Sequence, residues 1–314
     1  MTRAILEPKK KRVHRRLLIA SAAIAGTFVA VYVAAEMDMA RERTARSYLG
    51  DQLYTEIRGT GDPVVFLAGL QGSTKYWGRA FDPLAVEHRL IFVDALGFGR
   101  SPWPRDIAYT LDDQVAALRR TLVAKGATAD VTLVAHSFGT IIAANYAARF
   151  PDEVSRIVLL GTPIFASEQQ ARERIRNMTA LGALFTFNRP LANLACMTMC
   201  AFRPLLRRLL PRLRPELDPD VVADSVLHDL PAVDGSVNRV LLTEPIQKAL
   251  QRVGAKAVLV HGRADAVTSI EDARRVAKET GAALIEVAGN HHQYFTDGVE
   301  TIHRAVDGPQ RRTS

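Results

Sequence analysis

From residue 49 onward, short apolar runs alternate with stretches of helix length, and this alternation narrows the chain to one architecture: a mostly parallel sheet covered by helices. Parallel neighbours cannot be joined by a tight turn, so each pair needs a crossover long enough to hold a helix. Strands are expected at 52–58, 64–68, 89–93, 131–135, 157–160, 257–261 and 283–287, and helices at 111–124, 140–148, 270–279 and 298–306. The alternation breaks once. Residues 164–245 hold helical runs and a cluster of prolines but no strand, and read as a helical cap inserted in a core made of 49–163 and 246–308, with 309–314 as a tail.

Ahead of this body, 19 uncharged residues run from Leu17 to Ala35. As a helix they reach about 28 Å, close to the ~30 Å hydrocarbon core of a bilayer. The expectation is a transmembrane helix at 17–35, followed by a linker at 36–48. A cleaved signal peptide is the rival, because Val33-Ala34-Ala35 places small residues where a processing site needs them. The formal charge of +8 is concentrated at the N-terminus: residues 1–16 carry seven Lys or Arg against Glu7, a net of +6. The body is close to neutral, which argues against nucleic-acid binding. The excess of Lys and Arg over 1–16 marks a cytoplasmic tail and places the body on the far side of the membrane, or outside the cell if the signal is cleaved. The two cysteines, Cys196 and Cys200, have no second pair or histidine beside them for zinc. They read as small apolar side chains on one helix face, with a disulfide left open, and no metal or cofactor is expected.

Residues 131–140, Val-Thr-Leu-Val-Ala-His-Ser-Phe-Gly-Thr, read as a buried strand entering a sharp turn with Ser137 at its apex. Ala135 and Gly139 supply the small residues such a nucleophile elbow requires, and the Phe138 N–H is aimed at the reacting oxygen. The strand at 64–68 ends in Gly69-Leu70-Gln71-Gly72, where the Leu70 N–H, or next the Gln71 N–H, suits a second oxyanion donor. Asp265 follows the strand at 257–261 and suits an acid that orients a histidine. His291 and His292 follow the last strand, and either fits a general base. His136 is expected to point away from the serine, and His228 to lie outside the strand-end loops. The glycines after Asp94 do not make a nucleotide loop, since Pro102 stands in the third glycine's place.

The order Ser137, Asp265, His, each just past a strand end, resembles that of the α/β-hydrolase family. The elbow and helix through Ala148-Arg149-Phe150-Pro151-Asp152, the loop bearing Asp94, Gly97, Gly99, Arg100 and Ser101, and Trp77 after the oxyanion turn are similar to the family as well. The resemblance implies an α/β-hydrolase fold with an inserted helical cap. The Gly-Asn-His-x-Gln-aromatic run at 289–294, similar to that of some members, favours His291 over His292. Three positions depart from the family: Ala135 and Asn290 where glycine is common, and Ala68 where histidine often precedes the glycine. A serine at the elbow separates the chain from the epoxide-hydrolase and dehalogenase branches, which use aspartate.

The expected function is hydrolysis of an ester or related acyl bond, on a small or lipid-like acyl substrate, by Ser137, His291 and Asp265, with Leu70 and Phe138 N–H groups as oxyanion hole. Carbon–carbon hydrolysis, acyl transfer and a non-catalytic binding role are the alternatives on the same fold. In the cap, the run from Arg203 to Arg214 mixes arginines with leucines. It suits a helix with its apolar side on the core, or a surface resting on anionic lipid.

Overall fold

The computed structural model describes residues 6–178, 189–215, 217–291 and 299–307. One sheet contains β1 (Thr55–Arg58), β2 (Asp62–Leu67), β3 (His88–Val93), β4 (Val131–His136), β5 (Val154–Leu160), β6 (Ala257–Gly262) and β7 (Ala283–Val287), in the order β1-β3-β2-β4-β5-β6-β7. Only β1 is antiparallel to its neighbour. The helices are α1 (Leu6–Arg46), α2 (Leu111–Ala124), α3 (Phe138–Arg149), α4 (Glu168–Met178), α5 (Arg189–Ala201), α6 (Arg203–Leu213), α7 (Pro219–Asp224), α8 (Leu230–Ser236), α9 (Gln247–Val253), α10 (Ile270–Thr280) and α11 (Val299–Asp307).

Every residue of β4 is buried, as a central strand covered on both faces must be. The two-residue period of β2 sorts its side chains between two cores. Val65 and Leu67 join Leu118 of α2 and Ile142 of α3. Val64 and Phe66 join Trp77, Phe81 and Ile302 of α11. Helix starts follow local chemistry: Thr110 and Asp113 form a reciprocal capping box on α2, and Ser269 caps α10. Strand order fixes where a cleft opens. From β2 the chain steps outward to β3 and then crosses back past β2 to β4, so the loops leaving β2 and β4 diverge and a crevice forms at their carboxyl ends.

Between β5 and β6 lie helices α4 to α9, with no strand among the described residues of that stretch. Helix α9 packs on α3 and so belongs to the layer over the sheet, while α5 lies along α1. Residues 36–48, expected as a linker, instead continue α1 without a break to Arg46. The reason lies in the charge spacing, because Glu42 and Arg46 pair one turn apart and the helix gains partners from the body. Arg46 is buried, donates to the Gly99 carbonyl at 2.7 and 3.0 Å, and stacks 4.1 Å from the Trp103 ring. Upstream, the helix is long and apolar enough to cross a membrane, and Leu18, Ile19, Ile24, Phe28, Val29 and Tyr32 are exposed.

Cys196 and Cys200 are free and buried in α5. In α6, Leu205, Leu209 and Leu213 are exposed, while Leu206 and Leu210 are half-buried. Arg203, at its start, is fully buried.

Candidate active site

Ser137 sits at the carboxyl end of β4 with φ 48°, a left-handed backbone that a non-glycine residue adopts only under constraint. The constraint comes from both sides of the turn. Its N–H donates to the Leu160 carbonyl at 2.9 Å, and its own carbonyl accepts from Thr140 Oγ at 2.6 Å. Gly139 shows why the elbow needs small residues: a Cβ there would come within 2.6 Å of the carbonyl oxygens of both Leu67 and Ala68.

The sequence places Asp265 and His291 in loops after β6 and β7, and the fold joins those loops. Arg263 N–H donates to the Val287 carbonyl and Ala264 N–H to the Gly289 carbonyl, each at 3.0 Å. A Cβ on Gly262 would meet that Gly289 oxygen at 2.5 Å. So pinned, His291 Nε2 lies 2.9 Å from Ser137 Oγ, and His291 Nδ1 lies 2.8 Å from Asp265 Oδ2. The other Asp265 oxygen accepts from Val267 N–H at 2.7 Å and Thr268 N–H at 3.3 Å. Burial pushes the Asp265 carboxyl up, but the His291 hydrogen bond and the imidazoles of His291 and His261 outweigh it and hold the group down at about 2. The alternative base, His292, lies outside the described residues.

Leu70, in the turn after β2, lines one cleft with Ser137, and Phe138 follows Ser137 in the chain. Phe138 opens α3, where a helix leaves its first N–H groups without partners in a preceding turn. Gly69-Leu70-Gln71-Gly72 is closed by Gly72 N–H donating to Gly69 O at 2.9 Å, with Gln71 at φ 61°. Asp94, wholly buried after β3, accepts from Thr74 N–H beyond that turn and from Arg100 N–H at 2.7 Å. Burial raises its carboxyl to about 7 against these hydrogen bonds. The Asp94 loop is thus a brace for the segment that follows the turn at 69–72.

Two histidines depart from expectation. His136 does not point away: its ring stacks on Tyr76 with centroids 5.0 Å apart, and its Nε2 donates to the His291 carbonyl at 2.8 Å. His228 joins the site's surroundings from the cap. Its Nδ1 donates to Ser225 O at 3.1 Å, leaving Nε2 to accept from the Gln71 amide at 3.4 Å. Burial, together with nearby Arg203, lowers its imidazole to about 3, so it stays neutral and able to accept. Neither role has a signal in sequence, since both depend on which loops meet.

The cleft over Ser137 encloses about 320 Å³ and takes apolar walls from both parts of the chain: Leu70 and Val267 from core loops, Phe165, Ile175, Val221 and Leu241 from the stretch between β5 and β6.

Residues 62–298 match the family model of the α/β-hydrolase fold. The chain belongs to the α/β-hydrolase family. Among curated relatives of this chain, the probable lysophospholipase BODYGUARD 4 of Arabidopsis thaliana is 29% identical over 170 residues, 51% of this chain and 39% of that protein. Lipase 3 of Moraxella sp. is 34% identical over 108 residues, 34% of each chain. The matched stretch is therefore well under two thirds of the length of either relative. Among solved structures, an esterase from Exiguobacterium antarcticum superposes with a TM-score of 0.61 at 20% identity, covering 82% of this chain and 96% of the esterase. E-2-(Acetamidomethylene)succinate hydrolase gives 0.62 at 17% identity, covering 82% and 95%. At such identities the likeness concerns the fold alone.

Proposed function

We propose that this hydrolase cleaves an ester or related acyl bond through Ser137, His291 and Asp265. The observation that carries the proposal is the unbroken chain of short contacts, 2.9 Å from Ser137 Oγ to His291 Nε2 and 2.8 Å from His291 Nδ1 to Asp265 Oδ2. In this reading the Ser137 hydroxyl gives its proton to His291 Nε2 as Oγ bonds to the acyl carbon. The oxyanion so formed accepts from the Phe138 and Leu70 N–H groups. Collapse expels the alkoxide, which takes the proton from Nε2, and a water deprotonated by the same nitrogen then frees the acid. Asp265 stays ionised throughout, fixing the imidazole and balancing its charge. The apolar cleft supports a lipophilic acyl group, in keeping with the lipase and probable lysophospholipase names of two relatives. We further propose that α1 crosses the membrane over 17–35 with the basic N-terminus in the cytoplasm.

A fluorophosphonate probe and acyl esters of graded chain length, applied to wild type and Ser137→Ala, test the chemistry. Labelling and turnover should both vanish in the variant, with at least a ~10³-fold loss of kcat. Turnover that survives the substitution excludes Ser137 as the nucleophile.

A further inference from the structure

We propose that cap helix α5 is itself inserted in the bilayer, beside α1 in the leaflet nearest the catalytic body, so that the cleft over Ser137 is loaded with acyl lipid from that leaflet. The inference rests on the anchor and hydrolase readings given above.

The first support is depth. At one level Ala35 and Met39 of α1 pack against Cys200 of α5. Farther toward the N-terminus of α1, Leu194 and Thr198 face Ala23, Ile24, Thr27 and Phe28 across a groove of about 380 Å³. Ala23 lies 12 residues before Ala35, about 18 Å along a helix axis. On α5 the matching residues, Leu194 to Cys200, span about 9 Å, and the two helices run side by side over that depth. A bilayer that surrounds residues 17–35 of α1 also surrounds the middle of α5.

The second is chemistry. From Pro190 to Phe202 no residue is charged, and Leu191 and Leu194 are exposed. A cap helix bathed in water carries polar residues on its outer side. Hydroxyls in this layer are satisfied within their own helices, as hydrocarbon demands: Thr198 Oγ donates to Leu194 O at 2.8 Å, and Thr27 Oγ to Ala23 O at 2.9 Å. Asn193 is the one amide in this stretch, and Arg189 precedes it at the start of the helix.

The third is that charge resumes at the same level on both helices. Arg203, just past α5, pairs at 2.6 Å with Asp38, just past the apolar span of α1, and Arg43 reaches Asp229 at 3.3 Å. Beyond that layer α6 carries Leu205, Leu209 and Leu213 four residues apart, flanked by arginines, the pattern of a helix lying in the interface. Between these membrane-facing helices and Ser137, the cleft walls Ile175 and Val221 belong to the same cap.

The test uses the full chain reconstituted in phosphatidylcholine vesicles, with V29W on α1, L194W on α5 and V123W on the body, read by quenching from acyl-brominated lipid. The native Trp77 and Trp103 are buried and give a constant background. L194W is expected to be quenched as strongly as V29W, and V123W not at all. Quenching of V29W without L194W overturns the insertion of α5; no quenching of V29W overturns the anchor reading and the insertion with it. Loading is read separately with Leu194→Glu, which should hydrolyse a soluble short-chain ester at the wild-type rate and a long-chain ester held in the vesicle at least tenfold more slowly. Equal effects on both esters, or none, overturn loading from the leaflet. The quenching result stands whether or not Ser137 proves to be the nucleophile.

Discussion

At the scale of single residues, the site rests on a few positions whose backbone or charge is held away from its ordinary state. Ser137 keeps a left-handed φ because Gly139 lets the strand ends beside it approach to a distance no Cβ tolerates. Asp265 is buried yet held at about 2. Its folded value lies below the ~3.9 of an unfolded aspartate, so its stabilisation is complete above that value and is lost as pH falls toward 2. The loss should be on the order of 2 kcal/mol. Denaturant titrations of wild type and Asp265→Asn at pH 6 and pH 3 should therefore show the wild-type advantage shrinking at the lower pH; an unchanged gap would mean that the ion pair with His291 contributes nothing to folding. Ser137, Asp265 and His291 are legible as a candidate site because each follows a strand, and the fold brings the three into contact. His136 is not. Its Nε2 finds the His291 carbonyl only after β4 and the loop beyond β7 are brought together.

At the scale of elements, all seven strands were foreseen, β6 and β7 nearly to the residue, because strands covered on both faces are continuous apolar runs. Strand β1 starts three residues later than expected, at Thr55, since only the part that pairs with β3 becomes a strand. The largest difference is α1. Its charged end reads as a linker in sequence because no apolar stripe runs through it, yet it stays helical by pairing with Glu42, Gly99, Trp103 and Arg203. Arg203 is the centre of that joint: it donates to Asp38 at 2.6 Å, to the Val226 carbonyl at 2.8 Å and to the His228 carbonyl. Arg203→Met should cost about 3 to 5 kcal/mol, because Asp38 and two carbonyls lose a buried partner. Thermal unfolding in detergent would register this, and limited proteolysis should then cut first between α5 and α7.

At the scale of the whole molecule, α1 and the body that bears Ser137 are one packed unit. Removing residues 1–35 keeps Asp38, Arg43 and Arg46 and should leave the unfolding midpoint of the body within a few degrees of the full chain. Removing residues 1–48 strips those contacts and should lower it markedly; equal midpoints for the two truncations would show that the charged end of α1 is a passive spacer. The sequence by itself determined the sheet, the helix layers, the elbow and the order of the acid and base, because those depend on local periodicity and on turns that only certain residues can make. Tertiary structure decided which loops meet, that His136 and His228 support the site, and that α1 lies along the cap. These depend on contacts between residues as far apart as Asp38 and Arg203, and a pattern of local periods carries no record of such distances.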